Sequence, residues 1–166
     1  MGTLENYFDD IPKVLLNFQL LEEALRNYLA RCEGFTLVKV KGVIDYKLDL
    51  KYIEKASLGK LVELFEKRNK NTKLIERLSK IVPDRNFFAH EAYTRIYEKG
   101  KASKTKVETN YERLKEVISN SKECMLDVWT EIVSIENRFS GKDNVTRKYI
   151  DDMIAKLEAE EFKEKQ

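Results

Sequence analysis

The sequence predicts an all-α protein, an up-and-down antiparallel helical bundle built on two long helices. Two stretches repeat apolar residues at alternating steps of three and four, the signature of one helix face packed along its length. Only 6 glycines and 2 prolines interrupt 166 residues, so helices can run far before a breaker stops them. With 42% hydrophobic residues the chain can close one core without disulfides or metals. Residues 1–140 read as the bundle domain and residues 141–166 as a charged helical extension of it.

The first stripe is Ile11, Val14, Phe18, Leu21, Leu25, Tyr28 and Cys32. Asp9 and Asp10 suit its start, Pro12 fits a first turn, and Gly34 is its expected end. Residues 36–50 change character. Val38 and Val40 alternate with Lys39 and Lys41, and Ile44, Tyr46, Leu48 and Leu50 with Asp45, Lys47 and Asp49. That alternation predicts a short β-hairpin inserted between helices, while a helical turn over 43–48 fits the same residues. Ser57 is the expected cap of a helix carrying Leu58, Leu61, Val62 and Phe65, and Thr72 of one carrying Leu74, Ile75, Leu78, Ile81 and Val82. Pro83 should close the latter, with Asp84 capping a new helix that runs to about Tyr97.

Residues 98–106 read as a lysine-rich loop around Gly100, and Thr105-Lys-Val-Glu108 as a capping box. The second stripe follows: Val107, Tyr111, Leu114, Ile118, Ser121, Met125, Val128, Ile132, Ile135 and Phe139. Its sustained 3.5-residue period predicts a helix of roughly 50 Å in near-antiparallel packing, ended by Gly141. A polar C-terminal helix is expected from about Thr146.

The formal net charge of +2 conceals an asymmetry. Residues 1–33 carry 3 basic and 6 acidic side chains, residues 34–122 carry 21 and 12, and residues 123–166 carry 7 and 11. A basic middle is what a polyphosphate partner requires, and it is equally what a solvated helix face contains. No apolar run approaches the ~18 residues that span a bilayer, and no basic-then-apolar signal pattern opens the sequence. Cys32 and Cys124 stand apart, outside any C-x-x-C or Cys/His cluster. The expectation is a cytoplasmic protein with reduced thiols, no membrane contact, no bound metal and no cofactor.

The chemistry concentrates at Pro83–Glu91, PDRNFFAHE, which contains the chain's one histidine. At about 100° per residue, Phe88, Ala89, Ala92 and Ile96 share one wedge of the expected helix, the core face. Asn86, His90, Tyr93 and Tyr97 share the neighbouring stripe, and Arg85 at the helix start can lean toward them. A helix N-terminus there would add free N–H groups and partial positive charge, both favourable to an anion. A lone histidine on a helix is more often a packed or capped residue than a catalyst, so the spacing acquires meaning only from its surroundings.

Ser57–Phe65, SLGKLVELF, followed by Pro83–Glu91, resembles the HEPN superfamily (higher eukaryote and prokaryote nucleotide-binding). Its signature is an arginine, usually followed by Asn, Asp or His, with four to six residues before a histidine. Arg85-Asn-Phe-Phe-Ala-His90 is the four-residue form with the preferred Asn86. The resemblance implies a helical bundle that dimerises and brings two Arg/His motifs into one cleft. It further implies a metal-independent endoribonuclease in a toxin–antitoxin or phage-defence setting, or a member that has lost catalysis and binds RNA, nucleotides or a partner protein. One branch carries a tyrosine two residues after the histidine; this chain has Ala92 there and Tyr93 one later.

RNA cleavage without metal needs the 2′-OH deprotonated, the 5′-oxygen protonated and charge on phosphorus stabilised; imidazole and guanidinium suit those tasks. One chain supplies one histidine, so an imidazole pair requires a twofold dimer. The expected product carries a 2′,3′-cyclic phosphate. Arg85, His90 and Asn86 are the catalytic candidates. Lys99, Lys101, Lys104, Lys106, Tyr93 and Tyr97, with the run Lys67, Arg68, Lys70, Lys73, Arg77 and Lys80, are the candidates for holding RNA. The expected partners are a second copy, RNA and an antitoxin or regulatory protein. A third reading, a helical interaction protein with a coincidental motif, is favoured if Arg85 and His90 are separated, each satisfied by its own chain.

Overall fold

The computed structural model describes residues 3–47 and 50–140. Helix α1 spans Thr3–Val40, and its predicted stripe is buried from Ile11 through Tyr28, with Cys32 partly buried and Tyr7 extending the buried line one turn earlier. It begins earlier than Asp9 suggested, which places Pro12 well inside the helix, on its exposed face. Gly34 does not end it. A Cβ there would meet nothing within 4 Å, and the turns beyond it are held by packing: Phe35 stacks on Phe139, ring centres 4.2 Å apart. The turn comes at Gly42, whose φ of +82° is the left-handed geometry that favours glycine.

The hairpin expected near 36–50 is therefore not formed among the described residues: 36–40 are helix and 41–47 turn and irregular chain. In place of the hairpin the chain forms a strap, anchored by Tyr46 within the alternating stretch and Tyr52 beyond it. The Tyr46 and Tyr52 hydroxyls donate to the buried Glu33 carboxylate, Tyr52 at 2.7 Å, and Arg68 Nη2 donates to Glu33 Oε1 at 2.7 Å. Within the strap, the one-turn α2 (Lys51–Glu54) buries Ile53.

Helix α3 spans Leu58–Glu66 behind the expected Ser57, and α4 spans Thr72–His90. The cap of α4 is Asn71, one residue before Thr72, whose side chain accepts from the Leu74 N–H at 3.2 Å. Pro83 does not divide α4. An interior proline costs about 3 kcal/mol, but it lies on the exposed face, where helices bend outward without steric loss. Leu78 and Ile81 before it and Phe88 after it are all buried in one core, and one continuous helix keeps them in register. The helix ends at His90 rather than near Tyr97: the N–H groups of Glu91 and Ala92 both donate to the Phe87 carbonyl.

The real hairpin is β1 (Tyr97–Glu98) paired antiparallel with β2 (Lys101–Ala102), within the stretch expected to be a loop. Lys99 and Gly100, at φ +49° and +78°, form its two-residue turn, whose two positive φ values match the twist of paired strands. Helix α5 spans Lys104–Ser140, so Thr105 lies in its first turn and not at the cap. Of its stripe, Val107, Leu114, Ser121, Met125, Val128 and Ile132 are buried, and Tyr111 and Ile118 are partly buried against the same core.

Helix α4 runs antiparallel to α5: Arg77 pairs with Asp127, Asp84 with Arg113. The two longest helices, α1 and α5, run parallel. Asn17 reaches the Ile118 carbonyl, Arg31 pairs with Glu136, and Phe35 meets Phe139. The strap carries the chain back down, so α3, α4 and α5 then alternate while α1 and α5 point the same way. The C-terminal helix expected from Thr146 lies outside the described residues. No helix among them is long and apolar enough to cross a membrane.

Candidate functional site

Helix α4 places the motif. Leu74, Leu78, Ile81 and Phe88 are its buried residues, on a line of steps of three and four, and Arg85 falls on that line between Ile81 and Phe88. An arginine on a core line must lead its charged head out along its stem and find a partner. Arg85 Nε donates to Glu22 Oε1 of α1 at 3.4 Å, with side-chain exposures of 30% and 13%. Glu22 Oε2 accepts from Arg26 Nη2 at 3.3 Å, and the same Nη2 donates to the Ala56 carbonyl at 3.1 Å. Arg26 Nη1 lies 3.9 Å from the exposed Glu23.

His90 leaves the helix elsewhere. Five residues at 100° each turn it roughly 140° from Arg85 and carry it about 7.5 Å along the axis. Asn86, one turn before it, shares its outward stripe, and both are exposed. No described residue holds either side chain by a hydrogen bond or ion pair. The expected N-terminal anion cradle is absent, because Arg85 is mid-helix and His90 closes the last turn, where carbonyls and not N–H groups are left over. Ala89, expected in the core wedge, is exposed.

Asp84, expected as a cap, accepts from Arg113 Nε at 2.9 Å and Nη2 at 2.5 Å. The Arg113 guanidinium lies over Phe87, 4.3 Å from the ring centre, which fixes the end of α4 on α5. Tyr7 donates its hydroxyl to the Ala92 carbonyl at 3.0 Å, and burial pushes that phenol up to about 12 against the opposing pull of Arg113. Tyr93, about half exposed, stacks on Phe8 at 5.6 Å, and Tyr97 is exposed on β1.

The predicted lysines gather at the hairpin end of the bundle. Lys106 pairs with Glu98 at 2.8 Å and Lys104 approaches Glu108 at 3.9 Å, whereas Lys99 and Lys101 face solvent. Beside them Phe87, Arg95, Lys106 and Asn110 line a shallow cleft of about 360 Å³. The other basic run is split. Lys67, Arg68 and Arg77 are paired with Glu63, Glu33 and Asp127, which leaves Lys70, Lys73 and Lys80 exposed.

Sequence reasoning missed Glu22, Arg26 and Arg113. The signal for Glu22 was present: an arginine on an apolar heptad line calls for a carboxylate on the facing helix. No group of three His, Cys, Asp or Glu side chains among the described residues could hold a metal ion. No protein-family model matches the chain, nor does any curated protein or solved structure.

Proposed function

We propose that the chain is a HEPN-like endoribonuclease that cleaves RNA without metal and works as a homodimer. The observation that carries this reading is the pair Asn86 and His90: an amide and an imidazole one turn apart on the outward face of α4, with no partner among the described residues. An exposed imidazole that no described residue engages is open to a substrate, and imidazole suits general acid–base work. A second copy apposed on this stripe supplies the second imidazole, one as base toward the 2′-OH and one as acid toward the leaving 5′-oxygen. Arg85 supplies the guanidinium for phosphate oxygens. Lys99, Lys101 and the exposed Tyr93 then hold the strand, the lysines on its backbone and the ring under a base.

A second reading, a HEPN-like binding module without turnover, is favoured by the Arg85–Glu22 pair. A guanidinium already held by its own chain suits standing contact with RNA more than charge that appears only in a transition state.

Both are tested with an unstructured RNA oligonucleotide in EDTA. Cleavage by the wild type that falls at least ~100-fold in a folded Arg85→Ala variant supports the nuclease. Salt-sensitive binding without products, weakened by the same substitution, supports the module. Neither binding nor cleavage at low salt rejects both.

A further inference from the structure

We infer that Glu22 of α1 is a positioning residue for Arg85, holding its guanidinium by Nε so that the Nη edge faces an RNA phosphate. This inference rests on the proposed role of Arg85. Arginine is a long, rotamer-rich side chain, and a phosphate contact is strong only when the planar fork arrives already oriented. Three links provide that orientation here. The Ala56 carbonyl fixes Arg26 at 3.1 Å, Arg26 fixes one oxygen of Glu22 at 3.3 Å, and the other oxygen meets Arg85 Nε at 3.4 Å. The Glu22 side chain is only 13% exposed, so it is held by the packing of α1 as well as by its partners.

Engagement through Nε matters chemically. It uses one of the five guanidinium N–H groups and leaves the two Nη groups, which have no partner among the described residues. Those groups form the edge that matches two oxygens of one phosphate. The charge also favours an incoming anion, because Glu22 is shared between two guanidiniums and, among the described residues, the one other carboxylate on them is the exposed Glu23 at 3.9 Å.

The test is a double-substitution cycle on the full chain, read by affinity for an unstructured RNA oligonucleotide at several salt concentrations. Arg85→Ala is expected to weaken binding about tenfold and to lower the salt slope by about one. Glu22→Ala should weaken it about three- to tenfold, yet cost nothing further in an Arg85→Ala background, because a residue acting through Arg85 has nothing left to position. Glu22→Gln should restore most of the affinity, since its amide oxygen still accepts from Nε, and it keeps the test decisive if Glu22→Ala does not fold. The inference is overturned if Glu22→Ala binds like wild type while Arg85→Ala is impaired, or if its cost is undiminished in the Arg85→Ala background. If Arg85→Ala itself binds like wild type, the RNA role of Arg85 falls and the inference falls with it.

Discussion

Arg85 and His90 stand five positions apart on one continuous helix, yet they serve different surfaces. Arg85 is drawn into the groove beside α1, 3.4 Å from Glu22, and His90 stands on the outward face with no partner among the described residues. The motif is thus not a small cluster inside one chain. It is an inward anchor and an outward group, and the chemistry it resembles needs a further copy of the outward one.

Asp84 distinguishes the sequence reading of this helix from its structure. As a cap it would tolerate Asp84→Ser, since serine caps equally well. As the partner of Arg113 it would not, because serine abandons a charge-assisted pair and frees the guanidinium stacked on Phe87. Urea unfolding of Asp84→Ser is expected to show a loss of about 1–2 kcal/mol, and no loss would refute the ion-pair assignment.

Pro83 offers the complementary experiment. It lies inside α4 on the exposed face, so its removal sacrifices little packing. Pro83→Ala restores a backbone donor and should stabilise the fold by roughly 1–3 kcal/mol, measured as a higher melting temperature. A proline that truly separated two helices would give no such gain.

Glu33 ties stability to acid pH. Burial pushes its carboxyl up, but hydrogen bonds from Tyr46, Tyr52 and Arg68 outweigh that and hold it below the ordinary glutamate value. A carboxylate lowered in the folded state contributes stability above the unfolded value, near 4.3, and loses it as pH falls through the lower folded value. Glu33→Gln should therefore cost on the order of 1–3 kcal/mol at pH 7. The gap between variant and wild type should narrow below about pH 4.3, and a constant gap across pH 3–7 would contradict the assignment.

The long helices were legible because a 3.5-residue apolar period leaves little else for Ile11–Tyr28 or Val107–Ile132 to form. Their ends were not. Gly34 and Pro83 are breakers by local propensity, and each was overruled by tertiary packing on both sides: Phe35 on Phe139, and Phe88 in line with Leu78 and Ile81. The alternation over 36–50 formed helix to Val40 and turn and irregular chain over 41–47, not paired strands. Tyr46 and Tyr52 point inward to a buried carboxylate and not across to a second strand. The hairpin at Tyr97–Ala102 was hidden because Lys-Gly is a weak turn signal beside Asn-Gly. Arg85, Asn86 and His90 were legible as a spacing on neighbouring faces, but that Arg85 sits mid-helix, held by Glu22 and not free at a helix start, followed only from seeing α4 run through Pro83.

The measurement that decides the proposal compares wild type with His90→Ala on end-labelled single-stranded RNA in EDTA. His90 is exposed and touches no described partner, so its loss should leave the fold and melting temperature unchanged. The expected result is wild-type fragments ending in 2′,3′-cyclic phosphate, formed at least ~100-fold more slowly by His90→Ala. Equal cleavage by the two proteins, or fragments without cyclic ends, would contradict a site built on His90.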